Sequence, residues 1–120
     1  MAEKENVLVK TNDFIRYFLP KIEKMPRNYK FIIGDRIVKI QLDFLELLIE
    51  AYYSTDKPNK TKLLIKANIL LEQLRHLMQL CVDMKFIGIG QFEHTSKLLY
   101  DIGISLGGWI KFLQKQQASA

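Results

Sequence analysis

The stretch from Phe31 to Tyr53 constrains this chain more than any other. At 100° of turn per residue, Ile33, Ile37, Ile40, Phe44, Leu47 or Leu48, and Ala51 fall on one helical seam. Val38, Leu42, Leu45, Ile49 and Tyr52 form a second seam on an adjoining face. Together they make roughly 240° of the helix apolar, far more than the single stripe of an ordinary surface helix. The remaining strip is sorted by sign, with Arg36 and Lys39 early and Asp43, Glu46 and Glu50 late. That order opposes the helix macrodipole, at a cost on the order of a few tenths of a kcal/mol. A helix too apolar for one neighbour, with its bases at the wrong end for its own dipole, points to partners on both counts.

The rest of the chain reads as helix as well. A first helix, capped by Thr11, Asn12 or Asp13, carries Phe14, Ile15, Phe18, Leu19 and Ile22 and runs to about Met25, with a kink expected at Pro20. Residues 1–10 read as a loose lead-in. Met25–Asn28 forms the first turn, because Pro26 disfavours helix at the residue before it. Ser54–Thr61 is the clearest loop. A third helix, from about Lys62 to Lys85, has the heptad-like seam Leu64, Ala67, Leu71, Leu74, Met78 and Cys81, with Ile65, Ile69 and Leu80 as apolar outliers. Phe86–Gly90 forms a return in which the two glycines permit a sharp bend. The last helix, from about Gln91 to Leu113, has Phe92, Ser96, Leu99, Gly103, Leu106, Ile110 and Leu113 as its seam. Glycines at 103, 107 and 108 would let a neighbouring helix come close, with Trp109 filling space beside them.

Four helices joined by short turns favour an all-α, antiparallel up-down-up-down four-helix bundle, a single domain over residues 1–120. A chain of 120 residues buries an adequate core without disulfides or metals. No apolar run is long enough to span a membrane, and the charged N-terminus lacks a signal-type block. A single Cys81 supports no disulfide framework, so a cytoplasmic location is expected.

Charge is the second organising feature. Arg16, Lys21, Lys24, Arg27, Lys30, Arg36 and Lys39 are opposed between residues 16 and 39 only by Glu23 and Asp35. The resulting excess equals the net charge of +5 of the whole chain. These bases fall around the first turn, at one end of the expected bundle, with Tyr17 and Tyr29 offering stacking surfaces beside them. A smaller run, Lys57, Lys60, Lys62 and Lys66, falls at the opposite end. Such clusters neutralise phosphates and release counterions, which makes the first set a candidate nucleic-acid contact.

Catalytic signatures are missing. No Gly-rich phosphate loop occurs, and no Glu-x-x-His lies on core positions. Glu72 and His76 share a polar helix face, while the adjacent Glu93 and His94 point in different directions. Cys81 lies among apolar neighbours, where a thiol stays protonated and inert. Neither a catalytic residue, a metal site, a cofactor nor a small-molecule substrate is expected.

Several segments carry a resemblance. Phe18-Leu19-Pro20-Lys21-Ile22-Glu23-Lys24-Met25-Pro26-Arg27, with Gly34-Asp35-Arg36-Ile37 and Leu47-Leu48-Ile49-Glu50-Ala51, resembles the accessory variability determinant (Avd) proteins of diversity-generating retroelements. Gln91-Phe92-Glu93-His94-Thr95-Ser96-Lys97-Leu98-Leu99, followed by Ile102-Gly103 and Leu106-Gly107-Gly108-Trp109-Ile110-Lys111, is similar to the last helix of that family. The resemblance implies a basic, non-enzymatic four-helix bundle that assembles as a homopentamer. It also implies binding to a reverse transcriptase and to RNA or DNA, in support of mutagenic copying of template RNA into cDNA. The second seam, Val38, Leu42, Leu45, Ile49 and Tyr52, would then be the subunit interface, and the seven bases the polyanion surface. Related bundles encoded in ribosomal-RNA intervening sequences form the alternative, an oligomeric scaffold without a retroelement role. Those usually carry an Ile-Pro-Ser-Asn-Ile-Ala-Glu-Gly-like stretch, from which Leu47–Ala51 departs.

Overall fold

A computed structural model describes the backbone of residues 2–119 and the side chains of residues 6–118. Four long helices, α1 (Ala2–Glu23), α3 (Asp35–Tyr53), α4 (Lys57–Asp83) and α5 (Ile89–Ser119), pack antiparallel around one core. A single helical turn, α2 (Arg27–Tyr29), and a π-helical turn (Lys30–Gly34) lead into α3. The bundle is a rod of 52 × 24 × 19 Å. In it α3 packs on α4, α4 on α5 and α5 on α1, while α1 meets α3 less extensively.

The seam of α4 is buried as its spacing dictates, from Leu64 through Ala67, Leu71, Leu74 and Met78 to Cys81. On α3, Ile37, Phe44, Leu48 and Ala51 are buried, and Ile33, Ile40 and Leu47 pack half-buried against them. Gln41 is also fully enclosed on this face, with neither amide atom bonded to another described residue. An enclosed amide without a partner carries its full desolvation cost, about 1–3 kcal/mol.

Several expected boundaries are corrected. Residues 2–10 are helical rather than a lead-in (Met1 lies outside the described residues), because Val7 and Thr11 continue the buried face of Phe14 and Phe18 by two turns. Thr11 and Asn12 therefore do not cap a helix start. They donate back to the carbonyls of Val7 and Leu8 at 2.6 and 3.0 Å, as polar side chains do inside a helix. Pro20 does not end α1, which continues to Glu23. Its missing N–H leaves only the carbonyl of exposed Arg16 without a helical donor, where water can supply one.

The first turn is also tighter than expected. Helix resumes at Arg27, directly after Pro26, whose backbone is extended. Between Tyr29 and Asp35 one extra residue enters the helix, and the N–H of Asp35 donates to the carbonyl of Lys30, five residues back. The bulge turns Phe31 and Ile32 outward and sets Gly34 against α1, where a Cβ would lie 3.0 Å from Ile22 Cγ2.

α4 begins at Lys57, five residues before the expected start at about Lys62, with Pro58 tolerated in a first turn that needs no donor from it. At its C-terminus the glycines do not make the turn. Lys85 does, at φ 63°, with Lys85 N–H donating to Val82 O and Phe86 N–H to Cys81 O at 3.1 and 2.8 Å. α5 extends six residues past Leu113, and its buried edge includes Ile102 and Trp109, so the indole is core rather than filler. Arg75 crosses from α4 over Gly103, where any Cβ would meet its guanidinium, and donates to Leu99 O at 3.4 Å. At Gly107 no atom crowds the backbone.

Candidate nucleic-acid interface

The antiparallel arrangement brings the last turns of α1, the 24–34 segment, the start of α3, the end of α4 and the start of α5 to one end of the rod. Tyr29 packs on Phe86 there, at 4.9 Å between rings, and Tyr17 on His94 at 4.6 Å. Six of the seven candidate bases lie at or near this end, and Arg16 lies further down α1.

Their side chains are in different states. Arg16 is paired with Asp13 at 3.1 Å, Lys30 with Glu23 at 3.1 Å and Lys39 with Asp43 at 2.9 Å. The hydrogen bond that Lys39 donates to Asp43, reinforced by the carboxylate's charge, raises the Lys39 pKa above the ordinary lysine value. Lys21 rests its ammonium 4.4 Å from the centre of the Tyr17 ring, a cation–π contact on the α5 side. Lys24, Arg27 and Arg36 are exposed and form no ion pair among the described residues.

The cluster occupies an end rather than one flat face. Lys21 turns towards α5, whereas Arg36 and Lys39 line a groove of about 530 Å³ beside α4, together with Asp35 and Asp43. The free bases of the turn lie between these two flanks in sequence. The ordering of charges along α3 has a local explanation as well. Asp43, Glu46 and Glu50 share a groove with Lys66 of α4, so the acids near the C-terminus of α3 face a base from the antiparallel neighbour.

The second seam of α3 is left partly uncovered. Leu42 and Ile49 are 43% and 41% exposed, and Val38, Leu45 and Tyr52 are half-buried. Leu45, Ile49 and Tyr52, with Leu8, Val9 and Asn12 of α1, line an open apolar groove of about 480 Å³ where α1 and α3 pack least closely. Ile65, Ile69 and Leu80 are exposed on α4. Sequence reading did not identify Val9, which lies in what read as lead-in, nor Tyr100 and Ile104, which are exposed on α5.

The residues weighed for catalysis are dispersed. Glu72 is engaged by Arg75, His94 by Tyr17, and His76 is exposed. No group of three potential metal ligands occurs among the described residues. Cys81 is enclosed in the core, and burial pushes its thiol up to about 11. No helix of the described residues is long and apolar enough to cross a membrane. A family model described as bAvd-like matches residues 7–113. No curated protein matches the chain.

Proposed function

Because the chain belongs to the bAvd-like family, we propose that it is a non-enzymatic accessory protein that binds a reverse transcriptase together with template RNA or cDNA. In that role it supports the mutagenic copying step of a diversity-generating retroelement, in the cytoplasm. The observation that carries the nucleic-acid part is the basic end, where Lys24, Arg27 and Arg36 stand exposed without acid partners among the described residues. Lys30 and Lys39, held by single exposed or half-exposed acids, can exchange those partners for phosphates at little cost. Tyr17, Tyr29 and Phe86 give the same end aromatic surface on which bases can stack.

The proposal includes assembly. The partly uncovered seam Val38, Leu42, Leu45, Ile49 and Tyr52 is read as the contact between copies, in a ring of five. Assembly of that kind repeats the basic end around an axis and multiplies its field.

Replacing Arg27, Lys30, Arg36 and Lys39 together by alanine tests the surface. Titration of RNA and DNA across salt concentrations should show weaker binding and a log–log salt slope flatter by about three to four. An unchanged slope removes these residues from the contact. A wild-type protein that fails to shift nucleic acid even at low salt favours the alternative, an oligomeric scaffold of the ribosomal-RNA intervening-sequence type.

A further inference from the structure

The basic end carries two side chains that its charge does not account for. Phe31 and Ile32 are 60% and 69% exposed, turned outward by the π-turn. Two adjacent large apolar side chains left in water forgo the stabilisation that burial would give them, and π-turns of this kind recur at functional sites.

The backbone is helical without a break from Arg27 into α3, so side chains four apart share a face. Arg27 lies one turn before Phe31, and Arg36 one turn after Ile32, beside which it lines the groove against α4. Asp35 and Asp43 line the same groove, but Asp43 pairs with Lys39. Arg27 and Arg36 are both exposed and form no ion pair among the described residues. The other rings of this end are engaged, Tyr29 with Phe86 and Tyr17 with His94 and Lys21. Phe31 packs on no other ring among the described residues.

A two-fold contact with a second copy would set these arginines against themselves. An open phenyl face with a guanidinium one turn to either side fits a flat apolar body between anions, which describes a base and its flanking phosphates. In a duplex the base faces are covered, and opening a step costs unstacking. In a single strand they are open.

We propose that the basic end takes a single strand, with one base stacked on Phe31 beside Ile32 and with Arg27 and Arg36 at the phosphates to either side. This rests on the nucleic-acid reading above and adds to it the strandedness and a stacking residue.

Binding and stacking can be read separately with a short oligoadenylate containing 2-aminopurine, whose fluorescence changes when its stacking changes. At low salt the protein should bind this strand more tightly than the duplex of the same sequence. Phe31→Ala, at an exposed position, should weaken single-strand binding about tenfold and abolish most of the fluorescence change. It should leave duplex affinity and the salt slope alone, since no charge is removed. Phe31→Leu should behave like Phe31→Ala, and Phe31→Trp should restore binding. Duplex bound as tightly as single strand, or weakened equally by Phe31→Ala, overturns the proposal. Full affinity in Phe31→Leu also overturns it, by assigning the side chain to an apolar contact instead of a stack. Salt-dependent binding that Phe31→Ala leaves unchanged overturns the stacking role alone, whereas a wild type that binds no nucleic acid at low salt overturns the underlying reading with it.

Discussion

Lys85 holds the position that glycine usually fills after a helix. Its φ of 63° lies in the left-handed region, where a Cβ crowds the following carbonyl and costs about 1 kcal/mol or more. The paired bonds from Lys85 and Phe86 to Val82 and Cys81 hold it there and so set the angle at which α4 gives way to α5. Lys85→Gly should therefore raise stability by roughly 0.5–1 kcal/mol, read as a higher midpoint in urea with unchanged slope. A lower midpoint would mean that the lysine stem contributes packing that outweighs the relief. The sequence led to the wrong residues at this turn. Gly88 and Gly90 read as the bend because glycine is the default there, yet neither has positive φ.

At the scale of elements, apolar spacing was legible wherever a helix is long and regular. Each seam residue named for α4 is buried, and α3 has both its core face and the second face that its pattern announced. Boundaries were less legible because tertiary contacts decide them. The first turns of α1 exist because Val7 and Thr11 reach the core, a signal too sparse to register among their polar and charged neighbours. The π-turn cannot be read from spacing, since one inserted residue mimics a slight rotation of the seam. The candidate bases were legible as a set, but not their acid partners, nor their division between the α4 and α5 flanks.

The second face of α3 makes the clearest element-level prediction. Leu45→Glu and Ile49→Glu place a charge on the seam without touching Ile37, Phe44, Leu48 or Ala51. If copies meet there, each substitution strands an unpaired charge in an apolar contact, at about 3 kcal/mol or more, and weakens assembly at least a hundredfold. Sedimentation should report a smaller species while the far-UV circular dichroism keeps its helical signature. A monomeric wild type would instead assign the seam to a different partner.

On the scale of the whole molecule, Cys81 is a probe of opening. It has no exposed surface, and burial holds its thiol near 11 rather than at the ordinary 9.0. Alkylation in mildly alkaline buffer should be slow and should accelerate in step with global unfolding as denaturant is added. Rapid native labelling would reveal that the α4 end opens on its own. The same burial sets a sign for pH. In the unfolded chain the thiol ionises from about pH 9, while the folded chain keeps its proton to about 11, so folding loses stability as pH rises between those values. Cys81→Ala should show a smaller alkaline fall in melting temperature than the parent chain.

Four helices running alternately up and down return the chain to its starting side. Val9 shares a groove with Tyr52 and Tyr53, and Thr61 donates to Gln117 at 3.2 Å, so the first turns of α1 and the last turns of α5 lie beside the turn between α3 and α4. Anything fused to either terminus, whether a purification handle, a fluorophore or a tether to a surface, therefore crowds the same pole and leaves the arginine-bearing pole clear. Immobilised through either terminus, the protein presents its basic tip to solution and shields the other.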